Sequence, residues 1–370
     1  MEELKRELEK LSKTYVDTPE KEEKILIPFI KRLLELSVKE RRKLLPTIRE
    51  LQWIKGKFSE TFCDHHRARF LGAVQFVCGN KREMDLGYHI NFNLLCKLLS
   101  LYTPSWLAEY INDAESYLNF NISYEQLMQL IDMGYMQELS PKRIAQILPG
   151  YICIRSSLPK GKDTFNSDLL LKREITLKEH IWYLFEQESS IGYHNDRAQT
   201  AYKEGTTSRD ESFSAAFYRF SLDGHLDRNQ LLRATLSTFN RSFKKDMVNW
   251  FAGLFEELQP RAEELISLQE EIMQVFTSPY TKPVNVMLQQ LKKIASEGGF
   301  HYQEFIERAT TLFFSSPKNS LLTIYSIFEQ IVTGHPEMKE ACCIPLCQLF
   351  LKKDESLQKK AASFISKYGD

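Results

Sequence analysis

"FFSSPKNSLLTIYSIFEQIV", residues 313–332, opens on a Ser-Pro turn and continues as an amphipathic helix, and "FTSPYTKPVNVMLQQLKKIA", residues 276–295, does the same one helical hairpin earlier. Phe239, Phe276, Phe313 and Phe350 stand at a constant step of 37 residues. The helix after each of the first three carries apolar side chains at i, i+4, i+7 and i+11: Met247/Phe251/Leu254/Leu258, Val284/Leu288/Leu291/Ala295 and Leu321/Tyr325/Phe328/Val332. A fourth set, Leu357/Ala361/Phe364/Tyr368, follows after 36 residues. The helix before each marker agrees, with Leu231/Thr235, Leu268/Ile272, Phe305/Ala309 and Cys342/Leu346 lying 8 and 4 residues upstream. Any amphipathic helix has a stripe. Stripes that recur in phase with a turn and an aromatic position argue for a repeated unit.

The unit reads as two antiparallel helices joined by a short link, such as "LQP" at 258–260 or "SEGG" at 296–299. Such a hairpin cannot bury its apolar face alone and must stack on its neighbours. The period falls between the tetratricopeptide length of about 34 and the HEAT/armadillo length of about 40–47, and the tetratricopeptide Trp-Leu-Gly-Tyr pattern is absent. The predicted fold class is therefore all-α, a HEAT/armadillo-like solenoid forming a right-handed superhelix, less regular in the N-terminal half. Phe239, Phe276, Phe313 and Phe350 are expected to form a buried ladder, with Phe251, Leu288 and Tyr325 in the same core. Leu357, Ala361, Phe364 and Tyr368 have no following helix in the sequence. They are expected to fold back as a cap, to meet a partner, or to continue into a longer protein.

Toward the N-terminus the helical spacing persists without a fixed period. "EKILIPFIKRLLELS" sets Ile25, Pro28, Phe29, Leu33 and Leu36 on one stripe, and no run alternates as a strand would. Start signals are frequent: Thr18 before Pro19, Ser140 before Pro141, and the capping box "SYEQ" at 123–126. A polar loop is expected at 156–168. The stretch "NDRAQTAYKEGTTSRDES", 195–212, is poor in large apolar side chains and reads as a linker or insert. The predicted organisation is an irregular helical region over 1–194, the link over 195–212, and regular repeats over 213–370.

Hydrophobic residues make up 43% of the 370 and charged residues 26%, a globular balance. Lys+Arg and Asp+Glu are equal at 49 each, so the bulk basic character of a dedicated nucleic-acid binder is missing. The charged N-terminal stretch has no apolar core of a signal peptide, no apolar run is long enough for a membrane span, and seven cysteines lack framework spacing. A reduced cytoplasmic setting is expected.

Motifs that carry chemistry are few. "FCDHHRARF" (62–70) offers Cys63, Asp64, His65 and His66, with Cys78 beyond. Adjacent histidines on a helix diverge by about 100° and do not readily share a metal. Among His335, Cys342, Cys343 and Cys347, Cys342 takes a core position of the repeat, and the run reads as buried cysteine acting as a small hydrophobe, not as ligands. No G-x-S-x-G, P-loop or G-x-G-x-x-G is present. No catalytic residue, cofactor or metal is expected. The basic clusters "VKERRKLLP" (38–46) and "RSFKKDM" (241–247) read as solvated helix faces, with phosphate contact from a concave face as the alternative. "LFEQESSIGYHND" (184–196) suits packing at a loop edge better than a recognition loop.

Residues 222–294 resemble a bacterial family of unknown function with HEAT-like helical repeats. The residues that carry the likeness are Gly224, Leu226, Asp227, Arg228, Leu231 and Leu232, then Trp250-Phe251, Leu258 with Pro260, and Ser278-Pro279. "ERRKLLPTIREL" (40–51) and "LFEQESSIG" (184–192) are similar to more N-terminal family segments. These are packing motifs. The resemblance implies longer relatives, and proteins encoded beside SWIM zinc-finger and MoxR-type ATPase/von Willebrand A components. A non-catalytic scaffold or adaptor that binds another protein is the resulting expectation, with an ATPase or zinc-finger component as partner. Nucleic-acid binding is the alternative, and a metal-dependent or hydrolytic enzyme is less favoured.

Overall fold

The computed structural model describes residues 1–14, 18–55, 60–62, 65–86, 90–113, 122–156 and 161–369. The chain is all-α, with two short antiparallel hairpins among the described residues, Trp53–Lys55 with Glu60–Phe62 and Cys153–Ile154 with Thr164–Phe165. It divides into two compact units, Met1–Tyr151 and Ile152–Asp370. The division falls well before the expected 195–212 link.

In the first unit the start signals act as read. The Thr18 side chain accepts from Lys21 N at the head of Pro19–Leu34, and Ser123 with Gln126 forms a reciprocal capping box. The stripe of Pro19–Leu34 is displaced from the expected one. Leu26, Phe29, Ile30 and Leu33 are buried, whereas Pro28 is exposed. Two overlapping apolar rows occupy this helix, and the helix His65–Cys78 packs against it with the Phe29 and Phe70 ring centres 6.2 Å apart. Arg41, within the basic cluster 38–46, is also not on a solvated face. It is buried with its guanidinium 4.8 Å from the Tyr102 ring centre, while Arg42 donates to both oxygens of Glu83 at 3.0 Å.

Residues 195–212 do not form an open link. They lie mostly in the helix Ile191–Lys203 and a 3-10 turn at Arg209–Glu211. Small side chains make this possible: Asn195, Ala198 and Ala201 are buried, and Asn195 Oδ1 accepts from Ser214 N at 3.0 Å. A stripe of alanine and asparagine buries little area per residue, so it escapes a reading based on large apolar side chains.

From Arg228 onward the helices come in pairs: Arg228–Ser237 with Lys245–Glu257, Ala262–Gln274 with Thr281–Ile294, Tyr302–Thr310 with Lys318–Gly334, and Lys339–Leu346 with Glu355–Tyr368. The turn inside each pair carries the marker phenylalanine: Thr238–Asn240, Val275–Thr277, Leu312–Ser315 and Cys347–Leu351. Each second helix packs on the next second helix along the chain. All eight upstream positions are buried, as are the second-helix stripes except Tyr368, which is partly exposed.

The marker rings themselves depart from the expectation. Phe239, Phe276 and Phe313 are 7%, 6% and 0% exposed, but Phe350 is 44% exposed. The turn holding Phe313 is covered by the turn holding Phe350. Nor do the rings stack on one another. Phe276 meets Phe305 edge-on at 6.0 Å, Phe305 meets Phe328 at 6.1 Å, and Phe328 meets Phe313 at 6.2 Å. The seam is thus a relay through helix aromatics. Leu357, Ala361 and Phe364 of the last stripe are buried, the helix packing on its own partner and on the pair before, with Phe364 edge-on to Tyr325 at 5.6 Å.

Two of the residues that carry the family likeness, Arg228 and Leu258, take part in a clamp between the first two pairs. Gly224, at φ +78°, ends the helix Phe213–Leu222 in a left-handed conformation that a side chain would strain. Asp227 caps Arg228–Ser237 by accepting from Gln230 N at 2.6 Å. Arg228 then reaches across to the next pair. Its Nε and Nη2 donate to the two Glu264 oxygens at 2.6 and 3.0 Å, and Nη2 also donates to the carbonyls of Leu258 and Gln259 at 2.9 and 3.2 Å. Burial raises the Glu264 carboxyl, but hydrogen bonds from Arg228 and from Arg261 outweigh it and hold the group at about 2.

Candidate functional site

Two stretches expected to serve as loop-edge packing and as a solvated helix face meet at one place in the second unit. Ser189, Ser190, Gly192, Tyr193 and Asp196, from 184–196, and Asp246 and Met247, from 241–247, line a cavity of about 560 Å³. Asn249, Trp250 and Lys282 complete it. The walls are the first turns of Ile191–Lys203, Lys245–Glu257 and Thr281–Ile294. Gly192 lies beside the indole, and a Cβ there would stand at an ordinary van der Waals distance, 3.5 Å from Trp250 Cβ and Cγ. Trp250 is held edge-on to buried Phe251 at 4.9 Å, which fixes the indole at the cavity wall.

The electrostatics are uneven. Among the described residues neither Asp196 nor Asp246 makes an ion pair, although surface carboxylates nearby do, such as Glu188 with Lys244 at 3.3 Å. Asn249 Oδ1 is shielded from solvent and accepts no hydrogen bond. Lys282 rests beside Gly253, its Nζ 3.6 Å from where a Cβ would stand. Behind the wall, burial and then the charges of Arg197 and Arg155 lower His194 to about 4, so it is neutral at pH 7. Tyr193, 62% exposed, lies edge-on to that imidazole at 5.2 Å. An aromatic face, two unpaired carboxylates and an unengaged carboxamide are groups for recognition.

The open side of the later second helices continues in the same chemical character. Asn285, Ser326, Glu329 and Gln330 are partly exposed and Gln289 is exposed, and Gln289 Nε2 donates to Thr323 Oγ1 at 2.9 Å across two helices. A smaller cavity of about 380 Å³ lies there, lined in part by Ser326, Glu329, Gln330 and Thr333.

The expected core residues Phe239, Phe276, Phe313, Phe251, Leu288 and Tyr325 are buried and line neither cavity, and Phe350 is the exposed exception. Cys63 and Asp64, with the side chains of His65 and His66, lie outside the described residues. Cys78 is buried, and burial pushes its thiol up to about 12. Cys342 is likewise buried and pushed up to about 12, while Cys347 is exposed. Among the described residues, Glu270, His301 and Glu304 bring ligand atoms within 4.8 Å of one another. Glu304 there already accepts from Arg308 Nε at 2.7 Å, and the three read as a surface ion-pair cluster. Glu270 and His301 stand on different helix pairs, so their meeting leaves no local signal in the sequence.

The chain belongs to the family described as Domain of unknown function (DUF6493), whose model matches residues 2–319. No curated protein and no solved structure matches it.

Proposed function

We propose that this protein is a non-catalytic binding scaffold whose helix pairs form a HEAT-like, right-handed stack, with the open side of the second helices as the surface that receives another protein. The observation that supports this most is the run of partly or fully exposed Asn, Gln, Ser and Thr side chains along successive second helices, broken by two cavities. Short polar side chains leave room for a partner main chain and offer it hydrogen-bond donors and acceptors. Stacked hairpins supply a long contact surface, on which a few aromatic anchors dominate the affinity. Asp246 and Glu329 interrupt this side with negative charge, which favours a protein over a nucleic acid. The family likeness adds a bacterial cytoplasmic setting. It also adds a partner among SWIM zinc-finger or MoxR-type ATPase/von Willebrand A components.

Photo-crosslinking tests the reading. A benzophenone amino acid at Gln289 or Thr333, both exposed on the open side, is expected to trap one protein in the native cell, whereas the same group at Glu270 on a first helix traps none. Equal adducts from all three positions, or adducts with nucleic acid alone, refute it.

A further inference from the structure

We infer that the cavity beside Trp250 is the anchoring pocket for an arginine or lysine side chain carried on an extended peptide segment, an assignment that rests on the binding role proposed above. The cavity lies between three helix starts and is roomy enough, at about 560 Å³, for a long side chain with its main chain at the rim. Its charge decides the class of side chain. Asp196 and Asp246 bring two carboxylates with no ion pair among the described residues, against the single ammonium of Lys282, which is drawn to one side over Gly253. A carboxylate left unpaired while lysines and arginines are plentiful is a group that a cation can still reach.

The apolar part of the pocket fits the same ligand. Trp250 is partly exposed, and its ring, braced by Phe251, presents a flat surface on which a guanidinium or the methylene stem of a lysine can lie. Asn249, one residue earlier, has a carboxamide oxygen without a partner. Rotation of that amide offers an acceptor and a donor in one plane, the pattern that a peptide group matches. An acidic side chain would meet two like charges, and a purely apolar one would leave both carboxylates facing it unpaired.

The test pans a random 12-residue peptide display library against the full chain, followed by fluorescence-anisotropy titration of the best synthetic peptide. The expected result is enrichment of arginine or lysine at one position. Affinity should then fall about tenfold in the double variant Asp196→Asn/Asp246→Asn with its circular dichroism unchanged, and should weaken as salt rises. Enriched peptides that lack a basic residue, or that bind the double variant equally well, overturn the assignment and leave the scaffold reading intact. No enrichment also overturns it, and the crosslinking at Gln289 and Thr333 then decides the scaffold reading separately.

Discussion

Replacing Arg228 by methionine keeps a similar side-chain volume and removes a guanidinium that ties two helix pairs together. Arg228 and Glu264 side chains are only 15% and 16% exposed, and the arginine makes four contacts across the pair boundary: two to the carboxylate and two to carbonyls of the 258–260 link. Without it, Glu264 keeps only Arg261, whose backbone N and Nη2 donate at 2.8 and 3.0 Å. Stripping a largely covered carboxylate of two of its four donors and leaving one part-buried carbonyl without its guanidinium costs about 3 kcal/mol. Glu264→Gln is milder, because the amide still accepts one donor, and costs about 2 kcal/mol. The double variant is expected to lose about 1–2 kcal/mol less than the sum, the mark of a direct interaction. Two compact units need not unfold together, so hydrogen exchange of residues 228–274 in the full chain is the suitable assay, with urea unfolding alongside.

The same pair has a pH signature. Glu264 is held below its unfolded value, so its contribution is complete above an ordinary carboxyl value near 4.5 and is lost as pH falls toward about 2. At about 1.4 kcal/mol per pKa unit the full conversion is about 3 kcal/mol, and solvent access at the rim lowers the working figure to about 2. Glu264→Gln should therefore flatten the acid limb of the stability curve between pH 4.5 and 2. A cost below about 0.5 kcal/mol for Arg228→Met, or strict additivity in the double variant, would refute the clamp.

The four marker phenylalanines should differ in stability cost. Phe313→Ala removes a ring that is fully covered and should cost about 3–4 kcal/mol, whereas Phe350→Ala, at 44% exposure, should cost under about 1; equal urea midpoints would disprove the uneven seam. Thiol reactivity should divide the cysteines. In native protein at about pH 8, Cys347 is expected to alkylate within minutes while Cys78 and Cys342, buried and pushed up to about 12, stay unmodified, and peptide mass spectrometry reads the order directly.

What is legible along the chain is whatever rests on near neighbours. The capping box at Ser123 is complete within four residues, and the eight apolar positions upstream of the marker phenylalanines are set by helical spacing, so both stand where the periodicity puts them. The reading fails where the deciding partner lies far away. Residues 195–212 read as a link because their apolar groups are small, yet Ser214 fixes Asn195 from beyond the next turn. Arg41 sits in a run of charges and is buried because Tyr102 covers it. In the candidate site, Trp250 carries a packing motif and Tyr193 a loop-edge composition, while Lys282 and Asn249 give no signal at all. Their common wall exists only once three helix starts are brought side by side.

The order of residues by itself determined that this protein is helical, where its later helices start and stop, and which side of each is apolar, because those properties follow from contacts three or four residues apart. The packing of one pair on the next decided the rest: which marker ring is covered, which arginine is clamped, and which carboxylates are left without a partner. Burial and charge pairing depend on distant groups, as when Arg228 meets Glu264 36 positions along the chain, and no local spacing encodes who those neighbours are.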